Sequence, residues 1–95
     1  MGYTSKEKDF GINYRFTNLT TLASAGNPGG YPTGPFKIYS WDAINNIWHL
    51  EYNNTNTYPI LHLHEFDFIS SKIKIECTNS FVFVPANGDF NIYNV

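Results

Sequence analysis

The stretch from Leu22 to Trp48, LASAGNPGGYPTGPFKIYSWDAINNIW, decides how the chain folds. It begins as a strand, passes through a loop rich in glycine and proline, and continues from Phe36 as an alternating strand with Phe36 and Ile38 facing inward. These two residues and Trp48 are predicted to belong to the scaffold. Glycine readily adopts positive φ and proline lacks a backbone donor, so the loop cannot form a helix. A loop of this kind between two apolar runs is typical of a surface excursion from a β scaffold, where binding residues often lie.

Alternation of apolar and polar residues continues outside this stretch. Ile12 and Phe16 share one face of a strand, and Trp48 and Tyr52 share one face of another. A change of phase between Leu63 and Phe66 predicts a β-bulge near His64 and Glu65. The pattern predicts strands over residues 12–17, 19–24, 36–41, 47–52, 60–68, 72–77, 81–84 and 90–95, with turns at residues 18, 42–46 and 87–89. About eight short strands without helical periodicity predict an all-β fold, an antiparallel β-sandwich or jelly roll.

The length of 95 residues predicts one domain. Residues 1–10 are polar and charged, and we interpret them as an N-terminal arm; residues 11–95 then form a single β-sandwich domain. A chain of this size buries only about 60–65% of its unfolded surface. Eight Phe, seven Tyr and two Trp residues partly offset this limit, because each aromatic ring buries a large area.

The charge of the chain is small and nearly balanced, with six Lys and Arg against eight Asp and Glu residues. No basic patch is present to neutralise phosphates, so nucleic acid is not an expected partner. No apolar run is long enough to span a membrane, and no secretion signal is visible at the N-terminus. The single cysteine, Cys77, alternates with Ile73 and Ile75 and is predicted to be a buried apolar residue.

The run from Ser24 to Trp48 carries a resemblance to a known family. It resembles the central segment of discoidin-type domains, the coagulation-factor type C or galactose-binding-like group. The matching positions are Gly29, Pro35, Phe36, Ile38, Ser40, Asp42 and Trp48, and the runs Ile12–Phe16, Ser71–Glu76 and Phe90–Val95 are similar to other strands of that family. The resemblance implies a β-sandwich that binds carbohydrate or mediates adhesion without catalysis.

Two departures from the family's pattern stand out. The family has a longer N-terminal portion with a further strand and loop, and the Arg of its late strand is replaced here by Lys72 or Lys74. The first departure puts the family's usual calcium and ligand loops in doubt. It also implies an incomplete sandwich with an exposed edge, which a neighbouring chain would complete.

Aromatic and amide side chains at or beside the predicted loops are candidates for a glycan site. Flat rings stack on sugar faces, and amide and carboxylate groups bind sugar hydroxyls. The candidate ligand-binding residues are Asn27, Tyr31, Trp41, Asp42, Asn45 and Asn46. The alternative interpretation is that these rings pack over a sheet edge or against another subunit, because interfaces also favour Tyr and Trp.

Three histidines are candidates for a metal site. His62 and His64 lie two residues apart, so an extended strand places both on one face, and His49 occupies a polar position on another strand. If the two strands were neighbours, the imidazoles could converge on Zn²⁺ or another transition metal. The simpler interpretation is that all three face solvent on alternating strands, and we expect no cofactor.

Two functions fit the sequence. The first is a non-catalytic recognition or adhesion module whose partner is a glycan. The alternative is a structural subunit of a large assembly, such as a phage or viral capsid or tail decoration protein, whose partners are neighbouring subunits in an oligomer. Either function favours a location at the cell surface, outside the cell or in a virion. The carboxylates are scattered and no phosphate-binding loop opens a helix, so we do not expect an enzyme.

Overall fold

The computed structural model describes residues 4–21, 35–56, 62–77 and 90–95, and these form one antiparallel sheet. Its strands are β1 (Thr4–Thr21), β2 (Phe36–Asp42), β3 (Ile47–Asn54), β4 (His62–Cys77) and β5 (Phe90–Asn94). Their order across the sheet is β3-β2-β4-β1-β5. No helix occurs among the described residues, so the predicted all-β, antiparallel class is confirmed.

One face of the sheet carries the core. Its buried apolar residues are Phe16, Leu19, Phe36, Ile38, Phe68, Ile73, Ile75 and Cys77. Phe16 stacks on Phe68 with ring centroids 5.0 Å apart, a cross-strand pair of β1 and β4. The inward orientation predicted for Phe36 and Ile38 is confirmed, as is the burial of Cys77.

The ladder between the two longest strands, β1 and β4, is interrupted by a bulge. Asp9 pairs with Lys72 and Tyr14 with Ser70, so residues 10–13 of β1 bulge opposite a single residue of β4. Gly11 has φ +81°, and its N–H donates to the Asp9 carboxylate at 2.9 Å. On β4 the buried Ser70 hydroxyl bonds both the carbonyl and the N–H of Lys72. These local bonds satisfy the backbone where the ladder is interrupted.

The predicted phase of β4 is wrong at the start of the strand. Leu63 is 50% exposed, whereas His64 is 1% exposed and pairs with the buried Leu19 of β1. Burial continues at alternate residues to Ser70 and changes phase only before Ile73, opposite the bulge in β1. Next to the predicted bulge, the ladder with β1 does shift register between residues 65 and 68. Ile12, predicted to share a face with Phe16, lies in the β1 bulge and is 59% exposed.

Pairing over long distances also merges strands that the sequence separates. The expected turn at Asn18 is wrong, because β1 is continuous there and the Asn18 side chain accepts a hydrogen bond from Asn91 of β5. The two strands predicted over residues 60–68 and 72–77 are the single strand β4. The predicted strand over 81–84 and turn over 87–89 lie outside the described residues, whereas the closing strand is observed as β5.

The segment interpreted as an arm is ordered from Thr4 onward as the first half of β1. Residues 4–9 pair with residues 72–77 of β4, whereas β5 pairs only with Tyr14–Leu19. Among the described strands, this half of β1 is therefore an edge. Lys6, Glu7, Lys8 and Asp9 are exposed there, and charge on an edge strand discourages pairing with other chains. The charged residues that led to the prediction of an N-terminal arm thus lie on an edge strand of the sheet.

We expect Ile75→Ala to destabilise the protein strongly. Ile75 is fully buried between β1 and β2, so its truncation leaves a cavity and lowers the free energy of unfolding by about 2–5 kcal/mol. Ile69→Ala is the matched control, because Ile69 lies on the same strand but is 54% exposed, and its truncation changes stability by about 0.5 kcal/mol or less. Urea unfolding measures both; equal effects would contradict the assignment of the buried face.

Candidate functional site

The hairpin between β2 and β3 is organised by Asp42. Its Oδ1 accepts the backbone N–H groups of Ile44 at 3.0 Å and Asn45 at 3.1 Å, which closes the turn. Asn46 follows with φ 56°, a left-handed conformation that asparagine tolerates better than most residues. The turn predicted over residues 42–46 is confirmed.

The second carboxylate oxygen of Asp42 is also occupied. Oδ2 accepts from the Asn45 side-chain amide at 2.9 Å and from His49 Nε2 at 2.8 Å. The hydrogen bond from His49, followed by those from Asn45, holds the pKa of the Asp42 carboxyl well below its usual range. Three of the predicted site residues thus bind one another: Asp42 and Asn45 from the ligand set, and His49 from the metal set. Their first role is to hold the turn.

Trp41 immediately precedes this turn and pairs with Trp48 across the hairpin, with ring centroids 5.0 Å apart at 60°. Lys72 of β4 places its ammonium 5.3 Å from the Trp41 ring and 5.6 Å from the Trp48 ring. Lys74 lies 4.8 Å from the Trp48 ring and 4.7 Å from the Tyr39 ring. We call this set, Tyr39, Trp41, Trp48, Lys72 and Lys74, the aromatic–lysine surface. It covers the face of the sheet opposite the core.

Acidic neighbours hold the two lysines of this surface. Lys72 Nζ lies 3.7 Å from Glu7, and Lys74 Nζ lies 3.9 Å from Glu76. The Tyr39 hydroxyl donates to Glu76 at 3.1 Å. Exposed cation–π contacts are worth about 0.5–1 kcal/mol each, so the four together favour the observed arrangement of the rings. The two lysines and their two acidic neighbours leave the surface nearly neutral.

Sequence reasoning assigned Trp48 to the scaffold and did not join it to Trp41. A turn over residues 42–46 would pair Trp41 with Ile47, whereas the observed hairpin pairs Asp42 with Ile47 and therefore Trp41 with Trp48. Tyr52 was expected on the same face as Trp48, but the register shifts between Ile38 and Tyr39. This bulge in β3 turns Tyr52 toward the core, where its ring lies 5.8 Å from that of Phe36.

The histidines occupy different environments. The buried His64 bonds the Tyr52 hydroxyl through Nδ1 at 2.9 Å and packs edge-on against Phe36, so its role is in the core. His49 lies on β3, which β2 separates from β4, so the two strands are not the neighbours that a shared metal site required. Within the part of the chain that is described, no three His, Cys, Asp or Glu side chains form a group able to hold a metal.

The side chain of His62 lies outside what the structure describes, and so do Asn27 and Tyr31 of the predicted ligand set. Of the remaining ligand set, the structure brings Trp41, Asp42, Asn45 and Asn46 together at the β2–β3 hairpin. Only Trp41 among them joins the aromatic–lysine surface. The turn residues lie at its end.

A cleft of about 370 Å³ opens at the other end of the β2–β3 pair. Its lining consists of Pro35, Phe36, Lys37, Asn53, Asn54, Thr55 and Glu76. Glu76 also bonds Tyr39, so the cleft borders the aromatic–lysine surface. No residue of the predicted site lines the cleft. The alternation of a strand shows which residues face solvent, but it does not show where the surface is concave.

Comparison of the chain with protein-family models, curated proteins and solved structures found no match. In the described ranges, no helix has both the length and the apolar character needed to cross a membrane.

We expect the hairpin to weaken in acid through Asp42. The pKa of its carboxyl is lower in the folded protein than the value of about 3.9 in an unfolded chain, so its contribution to stability is present above that value. The contribution is lost as the pH falls further toward the folded pKa. Asp42→Asn should therefore reduce the free energy of unfolding at pH 6, and the gap from the native protein should narrow below about pH 4.

Urea unfolding between pH 2 and pH 6 measures this difference. Asp9→Asn is a suitable control, because Asp9 is an exposed aspartate on β1 that bonds a single backbone N–H. A gap between the native protein and Asp42→Asn that stays constant with pH would contradict the role of the charged carboxylate.

Proposed function

We propose that the protein is a non-catalytic recognition module that binds a glycan through the aromatic–lysine surface. The observation that carries the proposal is the pair Trp41 and Trp48, half-buried side by side on the open face of the sheet. Tryptophan rings that are only half covered present flat apolar area to solvent. Such area fits the apolar face of a sugar ring, and nearby amide and ammonium groups fit its hydroxyls.

The contacts within the surface support this role. Lys72 and Lys74 lie over the rings and are themselves paired with Glu7 and Glu76, so part of the side-chain freedom is restricted before a ligand binds. A preformed surface binds with a smaller entropic penalty than one that must be ordered by its ligand. Asn45 and Asn46 are exposed in the adjoining turn and add hydrogen-bonding groups at its end.

The absence of catalysis is part of the proposal, and the carboxylates that contact the aromatic–lysine surface support it. Glu7 pairs with Lys72, and Glu76 pairs with Lys74 and accepts a hydrogen bond from Tyr39. Both carboxylates therefore contact the side chains that form the surface, which fits a binding role.

The finer architecture is likewise proposed. We infer a β-sandwich of the discoidin-like type in which the five-stranded sheet is one layer. The support is that one face of the sheet is buried, with Phe16, Ile38 and Ile75 fully inaccessible, and a sheet buries a face only against another layer. A recognition module of this kind is expected at a cell surface, outside the cell or in a virion.

We expect Trp41→Ala and Trp48→Ala each to weaken glycan binding by tenfold or more. Aromatic residues at the centre of a contact surface commonly contribute about 2 kcal/mol or more, and a loss of about 1.4 kcal/mol already weakens binding tenfold. The measurement is binding to an immobilised panel of glycans, followed by titration of the best of them. Tyr93→Ala is the control, because Tyr93 is an exposed aromatic on β5 at the far edge of the sheet.

Circular dichroism would establish that the variants remain folded. A panel on which the native protein binds no glycan, or a titration that both tryptophan variants leave unchanged, would contradict the proposed function.

A second function, that of a subunit in a larger assembly such as a capsid or tail, is favoured by a different observation. β3 lies at one end of the strand order among the described strands, and apolar side chains are exposed along it and in the adjoining turn. Ile44 is 92% exposed, and Ile47 and Leu50 are about half exposed. Exposed apolar groups at a sheet edge are typical of contacts between subunits.

If this second function holds, sedimentation velocity should show association of the native chain at micromolar concentrations. Leu50→Asp should shift the chain to monomer, because a buried contact cannot accept an unpaired charge. Ile12→Asp is the control, since Ile12 is equally apolar and exposed but lies in the β1 bulge. A native chain that remains monomeric throughout would exclude assembly through this edge without affecting the glycan proposal.

A further inference from the structure

The cleft beside β2 and β3 contains hydrogen-bonding groups that the fold does not use. Lys37 pairs in register with Asn53 of β3 on one side and with Glu76 of β4 on the other. Registered partners share a face, and the neighbouring Phe36 and Ile38 are buried in the core. The side chains of Lys37, Asn53 and Glu76 therefore lie on the open face, the same face as the aromatic–lysine surface.

The two charged side chains of the cleft, Glu76 and Lys37, differ in the contacts that they make. Glu76 accepts a hydrogen bond from Tyr39 and pairs with Lys74. Lys37 takes part in none of the ion pairs among the described residues, although Glu76 lies directly across the ladder. The Lys37 ammonium can therefore still donate hydrogen bonds to a ligand. The carboxylate across the ladder from it, that of Glu76, already binds Tyr39 and Lys74.

Two further groups in the cleft are available in the same way. The described residues form no side-chain hydrogen bond with Asn53 or Thr55, whereas the buried Asn54 uses its amide to bond the backbone of Asn56. An ammonium, an amide and a hydroxyl then line one cleft of about 370 Å³. This volume lies at the lower end of the range for small-molecule sites.

We propose that this cleft binds an acidic sugar unit, with the ligand's carboxylate on the Lys37 ammonium and its hydroxyls on Asn53 and Thr55. An ammonium–carboxylate hydrogen bond is stronger than a neutral one, so the acid is preferred over a neutral sugar. The inference rests on the proposed function and deepens it by naming the ligand class. Lys37, Tyr39 and Trp41 alternate along one strand and span about 13 Å, so the glycan is a chain with an acidic unit at the cleft.

The test compares sugars that differ only in the carboxylate. D-Glucuronic acid and D-glucose, and likewise D-galacturonic acid and D-galactose, are titrated into the ¹⁵N-labelled native chain at low salt and followed by NMR chemical shifts. We expect each acid to bind at least tenfold more tightly than its neutral partner, with the largest shifts at residues 35–37, 53–55 and 76.

Lys37→Gln should abolish the preference for the acid. Lys6→Gln removes the same charge from the exposed edge of β1 and should leave the preference intact, which controls for long-range electrostatics. Equal affinity for acid and neutral sugars, no binding of either, or a preference that survives in Lys37→Gln would each overturn the inference.

Trp41→Ala separates the inference from the proposed function. A preference for the acid that persists in this variant, with shifts still at the cleft, supports the acidic site whatever becomes of the aromatic–lysine surface. Glycan binding that depends on Trp41 and Trp48 but shows no preference for the acid leaves the proposed function standing and overturns the inference.

Discussion

β4 lies in the middle of the sheet and pairs with β1 on one side and β2 on the other, and the remaining strands join through these two. Its register against β1 is therefore the constraint on which the other strands depend. Residues 72–77 of β4 alternate between a fully buried side, with Ile73 and Ile75, and an open side, with Lys72 and Lys74. A slip of one residue would exchange the two sides, burying lysines and exposing isoleucines. The free energy gained by burying Ile73 and Ile75 therefore fixes the register, and the register places Lys72 and Lys74 on the open face.

The open face of the sheet has its own set of side-chain contacts. Because β2 pairs with the same half of β4, the aromatic side chains of β2 and β3 come to lie beside those lysines, and acidic residues of β1 and β4 neutralise them. A solvent-facing surface normally carries mobile charged side chains. Here Lys72 and Lys74 lie over the rings and pair with acidic residues, whereas Lys37 takes part in none of the ion pairs among the described residues. The aromatic–lysine surface and this lysine thus lie toward opposite ends of β2.

The residues that were predicted well are those whose environment is local. Phe36 and Ile38 alternate with polar neighbours, and Asp42 opens a turn by bonding backbone groups two and three residues ahead. The residues that were predicted wrongly depend on a distant partner. Leu63 faces outward because its neighbour His64 pairs with the buried Leu19 of β1, and Tyr52 faces inward because it pairs with the buried Ile38 of β2. Neither pairing can be read from the alternation of the strand itself.

By itself, the sequence determined that the chain is an antiparallel β protein, that β2 and β3 form a hairpin closed at Asp42, and that Trp41 lies beside that turn. These properties follow from interactions within a few residues. Only the tertiary structure decided the strand order, the face on which Trp48 lies, the separation of His49 from His64 and the position of Lys37 at a cleft. The physical reason is that strand pairing joins residues far apart in sequence, and the register of each pair is selected by burial across the whole sheet.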